Sequence, residues 1–71
     1  MIAGYANGRD LTPRMRQALE GAARGETTRQ TATRLGIAEA TVKTIRAAAR
    51  DRLGARSTGQ AYAIARDRGL L

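Results

Sequence analysis

The stretch Ala32-Thr33-Arg34-Leu35-Gly36-Ile37-Ala38-Glu39-Ala40-Thr41-Val42 decides the fold. Ala32, Gly36 and Val42 stand at spacings of four and six. A small residue there lets two helices approach, a glycine makes the tight turn, and an apolar residue fixes the second helix to the core. Leu35, Ile37 and Ile45 occupy the flanking apolar positions. The arrangement predicts a helix-turn-helix, with one helix stopping at Leu35 and the next starting at about Glu39.

Outward from this turn, glycines punctuate the chain at helical intervals. Gly25, Gly36, Gly54 and Gly69 each follow a run of helix-forming residues, where a left-handed C-cap falls. Four helices result. The first takes Thr12 as N-cap and Pro13 at its first position and runs to about Arg24. The second begins after Thr27, the third spans about Glu39 to Leu53, and the fourth starts after Ser57 and continues to about Arg68. β-branched residues are few and do not alternate, so strands have no support. Residues 1–10, with Gly4, Asn7 and Gly8, read as a flexible arm.

Advancing 100° per residue along the third helix puts Val42, Ile45, Ala49 and Leu53 on one side. The other side carries Ala40, Lys43, Thr44, Ala47, Ala48 and Asp51. Small residues suit a helix that sinks into a major groove, with Lys43 and Thr44 as donors near its N-terminal end.

The composition agrees with a polyanionic partner. Thirteen basic residues against six acidic ones give a net charge of +7 in 71 residues, and Lys43 is the one lysine among them. Arginines spread from Arg9 to Arg68, interleaved with alanine, and there is no tryptophan or phenylalanine for a lipid interface. No apolar run is long enough for a membrane span or a signal peptide, so the expected setting is cytoplasmic and nucleoid-associated, with no membrane partner. The absence of cysteine and histidine removes disulfides, thiolate chemistry and the usual zinc sites. Six scattered carboxylates show no dyad spacing. The chain is therefore expected not to be an enzyme, and no metal or cofactor is expected.

Several ordered blocks resemble one family. They are Leu11-Thr12-Pro13-Arg14, Arg34-Leu35-Gly36-Ile37, Glu39-Ala40-Thr41-Val42-Lys43-Thr44, Leu53-Gly54-Ala55-Arg56-Ser57 and Gly69-Leu70-Leu71. From Leu11 to Leu71 the chain resembles the LuxR-type helix-turn-helix domain, the all-α, four-helix module also seen as the stand-alone regulator GerE. The resemblance implies two units, an arm over 1–10 and a DNA-binding domain over 11–71. It also implies a sequence-specific transcription regulator that docks the third helix in the major groove of double-stranded DNA. Pairing through the fourth helix as a homodimer on an inverted repeat is implied too.

Carried over by position, the resemblance places Lys43, Thr44 and Ala47 at base-reading positions. It places Thr28, Arg29, Thr41 and Arg46 at phosphate contacts, with Arg50 and Arg56 as flanking ones, and Tyr62 and Arg66 in the dimerising region. Departures accompany the matches. Met15 replaces a glutamate that completes a capping box with Thr12, and Ala38 replaces a capping serine. Ala18, Gly21, Ala22 and Thr31 replace larger core aliphatics, which predicts a marginal monomer unless the helices close up. No sensor domain fits in 71 residues, so control is expected from expression level, a partner or dimerisation, with RNA polymerase or another regulator as a further partner. A sigma-factor-like promoter-recognition module is a related reading. The alternative of another class is a protein-interaction or inhibitor module that pairs with a larger regulator or with RNA polymerase or a sigma factor.

Overall fold

The helices begin where the sequence supplies a capping oxygen, with one exception. In the computed structural model, which describes residues 11–71, the chain forms α1 (Pro13–Ala23), α2 (Thr28–Leu35), α3 (Glu39–Leu53) and α4 (Thr58–Asp67), with no strand among the described residues. The arm expected over 1–10 lies outside the described residues. Thr12 Oγ1 accepts from the Met15 N–H at 3.1 Å, and Met15 has no group to return the bond. Thr27 and Gln30 form a reciprocal capping box at the start of α2, at 3.0 and 2.9 Å. Ser57 Oγ accepts from the Gln60 N–H at 3.0 Å and opens α4. Ala38 has no side-chain oxygen, so α3 starts without a side-chain cap.

The decisive turn has the expected geometry. Gly36 adopts φ 69°, a left-handed conformation that a side chain would strain. Its N–H donates to Thr33 O at 3.3 Å, and that of Ile37 donates to Ala32 O at 3.0 Å. These two bonds satisfy carbonyls left open at the end of α2 and swing the chain directly into α3. Gly25, Gly54 and Gly69 close the other helices at positive φ as expected.

α1 packs on α3 and α4, and α2 packs chiefly on α3. The core is small-sided: Ala18, Ala49, Ala61 and Ala65 are fully buried beside Leu19 and Val42. Leu11, Met15 and Leu53 join them, with Ile45, Ala48, Tyr62 and Ile64 packed at the margin. The core is thus filled largely by short side chains that are themselves fully buried. The expectation of missing core volume at Gly21 and Thr31 is corrected, because that volume holds a polar cluster. Thr31 is fully buried. A Cβ built on Gly21 would lie 2.5 Å from Glu26 Oε1 and 2.6 Å from Thr31 Oγ1.

Candidate nucleic-acid interface

The surface of α3 that faces away from the core is shallow. Ala40, Thr41, Lys43 and Thr44 are exposed on its first two turns, and Ala47 continues the stripe half-buried. Residues three and four apart share a helix face, so Ala40, Lys43, Thr44 and Ala47 form one continuous strip. The structure brings together the three residues expected to read bases. Ala48, expected on this face, instead packs half-buried against the core.

Thr44 differs from its expected chemistry. Its hydroxyl donates to Ala40 O at 3.1 Å, one turn back in the same helix. A serine or threonine that bonds back this way presents its methyl group and its remaining lone pairs outward, not an O–H donor. Lys43 is then the donor on the strip, and Thr44 supplies apolar and acceptor character. Those are the two complements a major groove offers through base acceptors and the thymine methyl.

The N-terminus of α2 flanks the strip. Thr28 Oγ1 donates to Glu39 Oε2 at 2.9 Å, and Arg29 Nε stands 3.9 Å from Glu39 Oε1. The first residues of α2 and α3 are thereby tied together. Arg29 keeps most of its side chain in solvent, at 84% exposure, so the ion pair is loose. Thr28 and Arg29 thus sit at the α2 end of the strip, and Thr41 is exposed next to Ala40.

Arg46 is the expectation that the structure corrects. It is 9% exposed, and its guanidinium NH2 donates to the Thr31 hydroxyl at 3.1 Å. Its Nε is buried with no hydrogen-bond partner. Burial pushes the guanidinium below its ordinary pKa, with Glu26 opposing the shift, and an arginine remains cationic through such a change. Arg46 is one turn beyond Val42 and points inward with it, its guanidinium turned to Thr31 on α2 and not to the open surface. The Thr31 hydroxyl in turn donates a hydrogen bond to Glu26 Oε1 at 2.8 Å. Arg34 clamps the same carboxylate through Nε and NH2 at 3.0 and 2.9 Å. These bonds, that from Arg34 first, hold the Glu26 carboxyl below the usual carboxylate range, and they raise Arg34 in turn.

The cluster Glu26, Thr31, Arg34 and Arg46 was not anticipated as a unit. One signal was present: the apolar stripe of α3 runs through Val42, Ala49 and Leu53, and Arg46 stands on it at helical spacing. The Thr27-Gln30 capping box was also legible, as a threonine three residues before a glutamine.

The remaining expected residues lie at the α3–α4 end. Arg50 is half-buried and donates from NH1 to Thr58 Oγ1 at 3.0 Å, bridging α3 to the first residue of α4. Arg56 is exposed, and its backbone N–H is held by the Gln60 side chain. Tyr62 is half-buried against the chain's own core, with the Arg66 guanidinium 6.0 Å above its ring, within reach of a cation–π contact. A domain of this size does accommodate part of that ring, and its outer part remains open.

Among the described residues no helix is long and apolar enough to cross a membrane, and no cluster of histidine, cysteine or carboxylates is arranged to hold a metal. Comparison with curated proteins gives no match. A family model described as bacterial regulatory proteins, luxR family, matches residues 9–65 and covers the four helices from Thr12 into α4. The match spans most of the 71 residues, and the chain belongs to the luxR family of bacterial regulatory proteins.

Proposed function

We propose that this chain is a sequence-specific regulator of transcription that binds double-stranded DNA through α3 in the major groove. Membership in the luxR family of regulatory proteins supports DNA binding as the general activity. The observation that carries the finer reading is the strip of exposed Ala40, Lys43 and Thr44 continued by half-buried Ala47, flanked by Thr28 and Arg29. A flat helix face with one long cation is shaped for a groove about 12 Å wide. Lys43 donates to base acceptors, Thr44 meets a thymine methyl, and Ala47 allows close approach. Thr28, Arg29 and Thr41 contact phosphates beside the strip, while Arg50 and Arg56 flank it at the far end.

On this reading two chains pair through α4, with Tyr62 and Arg66 facing the partner, and the operator is an inverted repeat with half-sites about one helical turn apart. One short helix per chain buries less than the roughly 800 Å² per partner of a stable interface. The pair therefore forms on DNA. Selection of bound sequences from a random duplex pool tests both parts together. A symmetric enriched motif is expected, with sedimentation showing monomer in the free chain and two chains on the full site. An enriched but asymmetric motif saturated by one chain would remove the dimer, and no enrichment would remove specific recognition.

A further inference from the structure

Arg46 is badly placed as a stabiliser. Its cation is withdrawn from water, its Nε has no partner, and the one carboxylate nearby reaches it only through the Thr31 hydroxyl. An aliphatic side chain on this stripe would pack against α2 without the desolvation penalty of a buried charge. What the arginine supplies instead is direction. Apolar contacts between two helices are tolerant of small sliding and rotation. A hydrogen-bonded chain is satisfied at one distance and angle only.

The chain spans three elements. Arg46 belongs to α3, Thr31 and Arg34 to α2, and Glu26 to the link between α1 and α2. Glu26 is brought over α1 because its backbone N–H donates to Gly21 O at 3.0 Å. Gly21 supplies an independent sign that the cluster is built in: any side chain there would collide with Glu26 and Thr31, and its closest approach to Arg34 NH2 would be 3.1 Å. Four polar side chains and a gap in α1 thus serve one arrangement of α2 against α3.

We propose that Arg46 is a positioning residue for DNA recognition. Through Thr31 and Glu26 it sets the angle and register of α3 on α2. Lys43 and Thr44, in the turn before Arg46, thereby meet base edges at the same time as Thr28 and Arg29 on α2 meet the backbone. This rests on the DNA-binding reading above. Random duplex, which needs only charge near phosphates, is indifferent to that register.

The test uses the full chain and three variants. Thr31→Val removes the bridging hydroxyl at constant shape, Thr31→Ser keeps it, and Arg46→Met removes the guanidinium at similar volume. Affinity for the site selected by the unmodified chain, affinity for random duplex and the unfolding midpoint are measured for each. Thr31→Val and Arg46→Met are each expected to bind the selected site about tenfold more weakly while changing less than about twofold on random duplex. Arg46→Met should show no fall in midpoint, and Thr31→Ser should restore recognition. The double variant should be no worse than the weaker single one, because both remove the same chain of bonds.

An equal loss on both duplexes in Arg46→Met, with a flatter salt dependence and no effect of Thr31→Val, would make Arg46 a direct phosphate ligand and overturn the proposal. Unchanged recognition in both variants would overturn it as well, as would a loss of recognition that simply follows a loss of midpoint. If the unmodified chain binds no duplex, the DNA reading itself fails, and the positioning role falls with it before any variant is made.

Discussion

The hydroxyl of Thr28, the first residue of α2, donates to Oε2 of Glu39, the first residue of α3, at 2.9 Å. Both helix N-termini of the helix-turn-helix therefore converge on one carboxylate, with Arg29 3.9 Å from its other oxygen. On the DNA-binding mode proposed above, a phosphate approaching Thr28 and Arg29 would meet a group of its own sign beside them.

Glu39→Gln keeps an acceptor for Thr28 and removes the charge. Binding should tighten on specific and random duplex alike by roughly 0.5 kcal/mol, the scale of an exposed ion pair, with a steeper salt dependence. Titration over a salt series measures both. A weaker complex would instead show that the ionised carboxylate is needed to orient Thr28.

Lys43→Ala should weaken binding to the selected site by about 1–3 kcal/mol and have little effect on random duplex. Arg29→Ala should weaken both and flatten the salt dependence by about one unit per lost phosphate contact. Parallel titrations on the two duplexes separate the roles; equal losses in Lys43→Ala would reduce it to a backbone contact.

Gly21→Ala runs against the usual sign. In an exposed helix interior the change stabilises by about 1 kcal/mol through backbone entropy. Here the new Cβ would stand 2.6 Å from the buried Thr31 hydroxyl, so the cluster must shift. The net expectation is destabilisation by about 1 kcal/mol, in the range of overpacking. A raised denaturation midpoint would mean that the cluster rearranges freely.

Ala38→Ser places a hydroxyl at the N-cap of α3, where φ −72° and ψ 149° already suit a capping residue. One open backbone N–H gains an acceptor, and stability should rise by about 1 kcal/mol in urea unfolding. No rise would indicate that those N–H groups are already well served by solvent.

Acid should loosen the Glu26 cluster. The Arg34 hydrogen bonds, and then that of Thr31, lower the folded-state pKa of Glu26, so the folded chain binds this proton less readily than the unfolded one. The stabilisation is fully present above the unfolded value of about 4.3 and disappears as pH falls through the lower folded value. Glu26→Gln should accordingly be less stable than the parent at neutral pH and approach it in acid. A difference that stays constant from neutral pH into strong acid would assign the effect to shape, not charge.

The sequence by itself determined the elements of this protein, because their signals are local. Thr12, Pro13 and Ser57 start helices through groups that act within one turn, and Gly36 ends α2 through a conformation that belongs to one residue. The apolar spacing of Val42, Ala49 and Leu53 marked the inner face of α3 for the same reason. The outward strip of Lys43, Thr44 and Ala47 followed from that face by geometry.

Tertiary structure decided what the polar side chains outside the caps do. Arg46 read as a surface cation because of its charge, yet the helical stripe carried it inward, where its partner Thr31 lies fifteen residues away on another helix. Gly21 and Thr31 read as lost core volume because nothing nearby in the sequence announces that Glu26 and Arg34 fold back over them. The Thr44 hydroxyl had two uses open to it, solvent or its own helix, and the structure chose Ala40 O. Caps and turns are settled by neighbours in the chain, whereas the fate of a buried charge is settled by which distant groups arrive to solvate it.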